Sequence, residues 1–239
     1  MLKSLGIAAL ALLLVSCGAP RPTPVSPQLA PVPSAPPQAP AAGTVYRIDP
    51  AQSELRVLVY RAGPMAGFGH NHVIANRMLV GQIDFAGTAS ASSFSIAIPV
   101  AGFVVDEEEL RRQEGADFPG EIPADAKEGT LHNMLSAALL DASQYPVITV
   151  RGANITGTND ALTATLTVSV AGHESTLVAP FTLEAAAGRL SVAGTLELRQ
   201  STLGLAPFSV MMGALQVRDD MRLRFKIVAI ASLVPQSGR

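Results

Sequence analysis

From Val45 onward apolar and polar residues alternate with a period of two, the pattern of strands that bury one face and leave the other wet. Ser53 to Tyr60 sets Leu55, Val57 and Val59 against Glu54 and Arg56. Ser93 to Val100 sets Phe94, Ile96, Ile98 and Val100 against Ser93, Ser95, Ala97 and Pro99. The clearest run is Leu162 to Val170, where Leu162, Ala164, Leu166, Val168 and Val170 alternate with three threonines and Ser169. Ala171-Gly172-His173-Glu174 then reads as the turn of a hairpin into Ser175 to Leu183. Arg189 to Leu198 alternates again, and Met221, Leu223, Phe225 and Ile227 alternate with Arg222, Arg224 and Lys226, whose charges mark a solvated outer face.

With further strands near 45, over 73–85 and over 147–155, the count reaches eight or nine short strands joined by short turns. Such spacing suits a sandwich or a barrel. Closure removes the unpaired edges, and about eight strands leave room for one ligand. The expected fold is therefore all-β, an antiparallel closed β-barrel of about eight strands with a short helical insert.

The insert is the stretch from Asp106 to Asp141, where the alternation fails. Asp106 to Arg112 is helix-like, with acids first and bases last, matching the helix dipole. Gly129 to Leu140 carries Leu131, Met134, Leu135, Ala138 and Leu139 at helical spacing, an apolar stripe that packs on the barrel or lids a cavity.

The amino-terminal part of the chain has a different texture. Residues 1–16 hold one basic residue, Lys3, and an apolar run from Leu5 to Val15, too short to span a bilayer that needs about 20 apolar residues. The run closes in Leu14-Val15-Ser16-Cys17, which resembles the bacterial lipobox. That resemblance implies diacylation of Cys17, cleavage before it, and acylation of the new amino terminus, for example by palmitate. Several acyl chains make a stable anchor, at about 0.8 kcal/mol per buried methylene. Gly18 after the cysteine, where Asp would signal retention at the inner membrane, implies an outer-membrane lipoprotein facing the periplasm. From Gly18 to Gly43 a Pro/Ala/Ser segment with Arg21 as its one charge reads as a spacer that reaches up to roughly 80 Å at about 3.1 Å per residue. The expected organisation is a signal peptide over 1–16, an anchor and disordered linker over 17–43, the barrel over 44–232 and a flexible tail over 233–239.

Composition narrows the classes. The 239 residues are 48% hydrophobic and 15% charged, enough apolar residues for one well-buried domain. A net charge of −2 and no basic patch exclude nucleic acid as a partner. The single cysteine, Cys17, cannot form an internal disulfide.

Candidate chemistry concentrates in Gly67-Phe68-Gly69-His70-Asn71-His72-Val73-Ile74. Two histidines two residues apart on a strand project to one side. Gly63, Pro64, Gly67 and Gly69 mark a turn or bulge beside them. One use is a divalent metal site, for which His70 and His72 need partners from His132, His173 or a carboxylate such as Asp84. A second is polar recognition, an imidazole donating to a quinone carbonyl or a phosphate oxygen at the mouth of an apolar channel. A third is structural, the pair satisfying backbone groups at the bulge. No nucleophile elbow or phosphate loop is present, and the neighbours His173, Glu174 and Ser175 cannot align as a triad within one tight turn.

Four stretches in order resemble the YceI-like domain. They are Tyr46-Arg-Ile-Asp-Pro-Ala-Gln-Ser53, Leu139-Leu-Asp-Ala-Ser-Gln-Tyr-Pro-Val-Ile-Thr149, Leu166-Thr-Val-Ser-Val-Ala-Gly-His173 and Ser201-Thr-Leu-Gly-Leu205. The chain looks most like a branch with Gly-His-Asx-His early and Pro207-Phe-Ser-Val-Met-Met-Gly-Ala-Leu215 late. The resemblance implies a lipocalin-like periplasmic barrel whose apolar channel holds a long isoprenoid or similar amphiphile, with no established reaction. The expected function is thus a lipid-anchored periplasmic binding protein, not an enzyme, carrying an isoprenoid, quinone or other amphiphilic lipid. Phe68, Met134, Phe181 and Phe208 are its expected lining positions. The alternative is a metal-binding or metal-dependent protein using His70 and His72. Its partners are the lipid and the membrane, and a homodimer is left open.

Overall fold

The computed structural model describes residues 43–186 and 188–232. The expected signal peptide, Cys17, the linker up to residue 42 and the tail from residue 233 lie outside them. The alternating runs become strands: β1 (Thr44–Ile48), β2 (Glu54–Ala62), β3 (His72–Asn76), β4 (Val80–Phe85), β5 (Ser93–Pro99) and β6 (Phe103–Val105). Two helices follow, α1 (Glu108–Glu114) and α2 (Ala124–Leu135). The chain then returns to strands with β7 (Val147–Thr158), β8 (Ala161–Val170), β9 (His173–Ala186), β10 (Arg189–Arg199), β11 (Ser209–Val210) and β12 (Leu215–Ala231).

Every pairing is antiparallel, and the order β1-β4-β5-β7-β8-β9-β10-β12 returns to β1 to close eight strands into a ring. Closure is made at the chain ends, where Tyr46 faces Ala231 and Ile48 faces Ala229. Above that short contact the same edge of β12 pairs with β2, which continues through β3 to β6. The long strand β12 therefore serves two neighbours on one edge. The β8–β9 hairpin turns on Ala171 and Gly172, both at positive φ, as a two-residue loop between right-twisted strands requires.

Inward positions are those the alternation assigns: Leu55, Val57 and Val59 on β2, and Met221, Leu223, Phe225 and Ile227 on β12, all face the interior. A bulge in β7 between Ala153 and Thr156, with Asn154 at φ 50°, shifts the phase and turns Ile155 inward.

The insert differs in detail from its expectation. Asp106 is not helical but sits at φ 54°, and α1 begins two residues later. α2 lies earlier than the 129–140 stripe because it starts behind Pro123 and stops at Ser136. The Ser136 hydroxyl donates to the Asn133 carbonyl and accepts from the Ala138 amide, a local pairing that competes with another helical turn. Leu139 and Leu140 still face the interior, but from a turn.

α1 covers the outer face of β2 and β3. Leu110 and Phe118 pack there against Leu58, Val73 and Ala75, a small second core outside the ring. Glu114 accepts from Arg56 on β2 at 2.9 Å and pairs with Arg224 on β12 at 2.9 Å, so part of the basic outer face is a docking point for the helix. Among the described residues no helix is long and apolar enough to cross a membrane.

Candidate functional site

The barrel is not filled by its own side chains. The inward residues of seven of the eight ring strands, all but β1, together with those of β2 and β3, leave a cavity of about 580 Å³. That volume lies in the range of small-molecule pockets, about 300–1,000 Å³. At its deep end Phe94, Ile155, Phe181, Leu183 and Phe225 form an apolar floor. Leucines, isoleucines and valines of β2, β5, β7, β8, β9, β10 and β12 line the middle.

Polarity enters at the other end. Arg61 reaches the cavity from the end of β2, His70 from the segment that joins β2 to β3, His72 from the start of β3, Thr130 and Asn133 from α2, Gln200 from the turn after β10 and Gln216 from the start of β12. The segment between β2 and β3 is fixed by its glycines. Gly63 at φ 89° lies so close to the 213–214 backbone that a Cβ would come within 2.5 Å of the Ala214 carbonyl oxygen. The Met65 amide donates to that same carbonyl at 2.8 Å. Two loops are thereby bound side by side at the rim, and each offers exposed apolar side chains, Phe68 on one, Met211 and Met212 on the other. Both methionines sit at positive φ, a conformation that costs about 1–3 kcal/mol at a residue with a side chain.

The histidine pair is held asymmetrically. His70 is exposed at the rim; His72 opens β3, opposite Val59, and is partly buried. Their ring centroids are 6.3 Å apart at 77°. His72 Nδ1 lies 2.6 Å from Asp106 Oδ2. Asp106 is fully buried, and its other oxygen, Oδ1, accepts from the Val73 amide at 2.9 Å and from Arg111 Nη1 at 2.6 Å. Arg111, itself 3% exposed, also donates to the carbonyls of Asn71, Pro119 and Gly120.

Burial alone would raise the Asp106 pKa. The hydrogen bond from His72, the Val73 amide and the Arg111 guanidinium together outweigh it and hold the carboxyl below the ordinary range. Asp106 is therefore an acceptor at both oxygens, and His72 donates to it through Nδ1–H. This relay of Arg111, Asp106 and His72 runs from the outer face to the cavity wall. Sequence reasoning missed its two buried members, reading both as parts of a helix whose charges match its dipole.

The four expected metal ligands do not assemble. His132 is exposed on α2 and does not line the cavity. His173 starts β9 and packs on Gly204, where a Cβ would approach its Cγ to 2.5 Å. Asp84 accepts from Gln82 on the barrel exterior. Among the described residues no group of three or more His, Cys, Asp or Glu could hold a metal ion. Of the expected ligand contacts, Met134, Phe181 and Phe208 line the cavity. Phe68 stands at its rim, 80% exposed.

The model of the YceI-like domain family matches residues 46–229. Among solved structures, Burkholderia cenocepacia BcnA is similar with a TM-score of 0.57 at 17% identity, over 76% of this chain and 98% of that one. A structure described as a polyisoprenoid binding domain from Saccharophagus degradans, implicated in plant cell wall breakdown, gives a TM-score of 0.53 at 12% identity, over 78% of this chain and 98% of that one. At these identities both share the fold. No curated protein matches the sequence.

Proposed function

Because this chain belongs to the YceI-like domain family, we propose that its barrel is a carrier that holds an isoprenoid, quinone or other amphiphilic lipid and does no chemistry on it. The observation that carries the reading is the unfilled interior. A cavity of about 580 Å³ walled by aliphatic and aromatic side chains suits an apolar chain and little else. Protein interiors are normally close-packed, and an empty apolar space forfeits the dispersion contacts that a ligand restores. Apart from Ser92 near the floor, whose hydroxyl is spent on the Thr88 carbonyl and the Ala86 amide, the polar side chains gather at one end, which suits a molecule with a single polar head. The relative from Saccharophagus degradans, described as polyisoprenoid binding, supports an isoprenoid among such amphiphiles.

In this reading Phe68, Met134, Phe181 and Phe208 contact the lipid at different depths, Phe181 near the floor and Phe68 at the mouth. The lipobox at Leu14 to Cys17 supports acylation of Cys17 and an outer-membrane lipoprotein whose 17–43 linker lets the barrel reach into the periplasm.

The test is native mass spectrometry and metal analysis of protein purified from membranes. The expected result is a bound lipid mass and no stoichiometric metal. An empty barrel with stoichiometric metal that disappears in His70→Ala would overturn the carrier reading.

A further inference from the structure

The relay behind His72 decides which kind of head group the cavity takes. Resting on the carrier reading, we propose that the mouth selects an amphiphile with a hydroxyl head, a prenol or a hydroquinone, which donates its O–H to His72 Nε2.

The argument is one of donor and acceptor inventory. An imidazole has two nitrogens, and in the neutral ring one donates while the other accepts. Nδ1 is committed to Asp106 Oδ2 at 2.6 Å, and Asp106, already accepting from the Val73 amide and from Arg111 at Oδ1, has no proton to give. In the neutral ring Nδ1 therefore carries the hydrogen, and the lone pair is at Nε2, so the titrations below are made at a pH well above the ordinary histidine range. Nε2 has no hydrogen-bond partner among the described residues, where every occluded side-chain nitrogen or oxygen has one, so it is accessible, on a side chain that lines the cavity. An acceptor there recognises a hydroxyl. It gives nothing to a quinone carbonyl or an ether, the reverse of a ring that presents N–H to the channel. Arg111 is what keeps the arrangement fixed: its guanidinium balances the Asp106 charge from the side away from the histidine.

The geometry also says how to reverse the preference. Apart from His72, the donors that reach the Asp106 carboxylate, the Val73 amide and Arg111 Nη1, both lie on Oδ1. In Asp106→Asn the amide oxygen keeps that position, and the NH2 group replaces Oδ2 opposite His72 Nδ1. Nδ1 must then accept, and the hydrogen moves to Nε2, which becomes a donor. Asp106 acts through His72 and is a positioning residue.

Farnesol, its methyl ether and farnesal share one chain and differ in the head, so calorimetric titration of delipidated protein with each reads the head group alone. The expected result is farnesol bound about fivefold tighter than the methyl ether, the weight of one net hydrogen bond. In His72→Phe that ratio falls to about one while chain binding persists. In Asp106→Asn farnesal gains on farnesol, a change of order that loosened packing would not produce. Equal binding of farnesol and its ether by the unaltered protein, or a ratio that survives His72→Phe, overturns the inference and leaves the carrier reading standing. Failure of all three probes to bind folded protein overturns both.

Discussion

The ring of Phe94 lies across the bare Cα of Gly152, its partner on the neighbouring strand. A Cβ on Gly152 would come within 2.0 Å of the ring. Phe225 covers Gly194 in the same way, where a Cβ would approach to 2.4 Å. Each glycine occupies an inward position that the alternation would otherwise give to an aliphatic side chain. The omitted side chains let the two rings lie flat against the wall and floor the cavity, an aromatic-over-glycine arrangement that also protects a weak point of a strand.

Gly152→Ala is expected to destabilise the barrel by about 1–3 kcal/mol, the usual cost of overpacking. At this domain size that is a fall in Tm of roughly 2–4 °C per kcal/mol. Thermal unfolding checks it, and the double variant Phe94→Leu, Gly152→Ala should recover part of the loss because the clash is between those two groups. A wild-type Tm for the single variant would show that the ring is not held on the glycine.

Leu166 faces Leu177 across β8 and β9, both toward open cavity. In Leu166→Trp the larger side chain enters space rather than a packed core, so Tm is expected to stay within a few degrees of the parent while bound lipid is lost. The chain has no other tryptophan, so its emission reports directly on the cavity. Retention of lipid by a folded Leu166→Trp would contradict the assignment of this cavity to the ligand.

The barrel was legible because its information is local. A strand's period of two appears within eight residues, and the cavity wall from Leu55 to Ile227 follows from it. The relay was not legible, for two physical reasons. His72 and Asp106 are 34 positions apart, so nothing in either segment announces the other. Asp106 also stands before Glu107-Glu108-Glu109, where it reads as the first acid of a helix. It is instead outside α1, at φ 54°, and its side chain accepts from the Val73 amide. His132 and His173 do not join His70 and His72, because turn and helix placement, which set their positions, is not encoded in the spacing of the histidines.

The rim side chains should govern exchange rather than capacity. Phe68, Met211 and Met212 are exposed beside the opening, suited to contact with a bilayer from which a lipid would be drawn. Replacing all three with serine is expected to slow transfer of a fluorescent prenol from vesicles at least severalfold. Saturating occupancy should be unchanged. Stopped-flow transfer and endpoint titration separate the two, and an unchanged rate would remove the rim from the entry route.

Cys17 carries the anchoring expectation. Cys17→Ser is expected to leave the chain unlipidated and to move it from the membrane to the soluble fraction, since a serine cannot accept the diacylglyceryl thioether. Metabolic labelling with a palmitate analogue, read beside fractionation, checks this. Unchanged labelling and partitioning would contradict the lipobox reading.

Asp106 should shape the acid limb of stability. Its pKa in the folded protein is lowered from the ordinary 3.8, so as pH falls the unfolded chain takes up the proton first. Protonation then favours unfolding, and the contribution of this group, fully present above about pH 5, is lost as pH drops through 3.8 toward the folded value. Urea unfolding between pH 6 and 3 should therefore show a decline that is shallower in Asp106→Asn, which has no proton to gain. At pH 7 the variant is the less stable of the two. The same variant leaves the buried Arg111 without its counter-charge, and losing one partner of a buried pair costs about 3–5 kcal/mol. The two stability curves should converge as pH falls. Parallel curves would mean that Asp106 does not carry the acid limb.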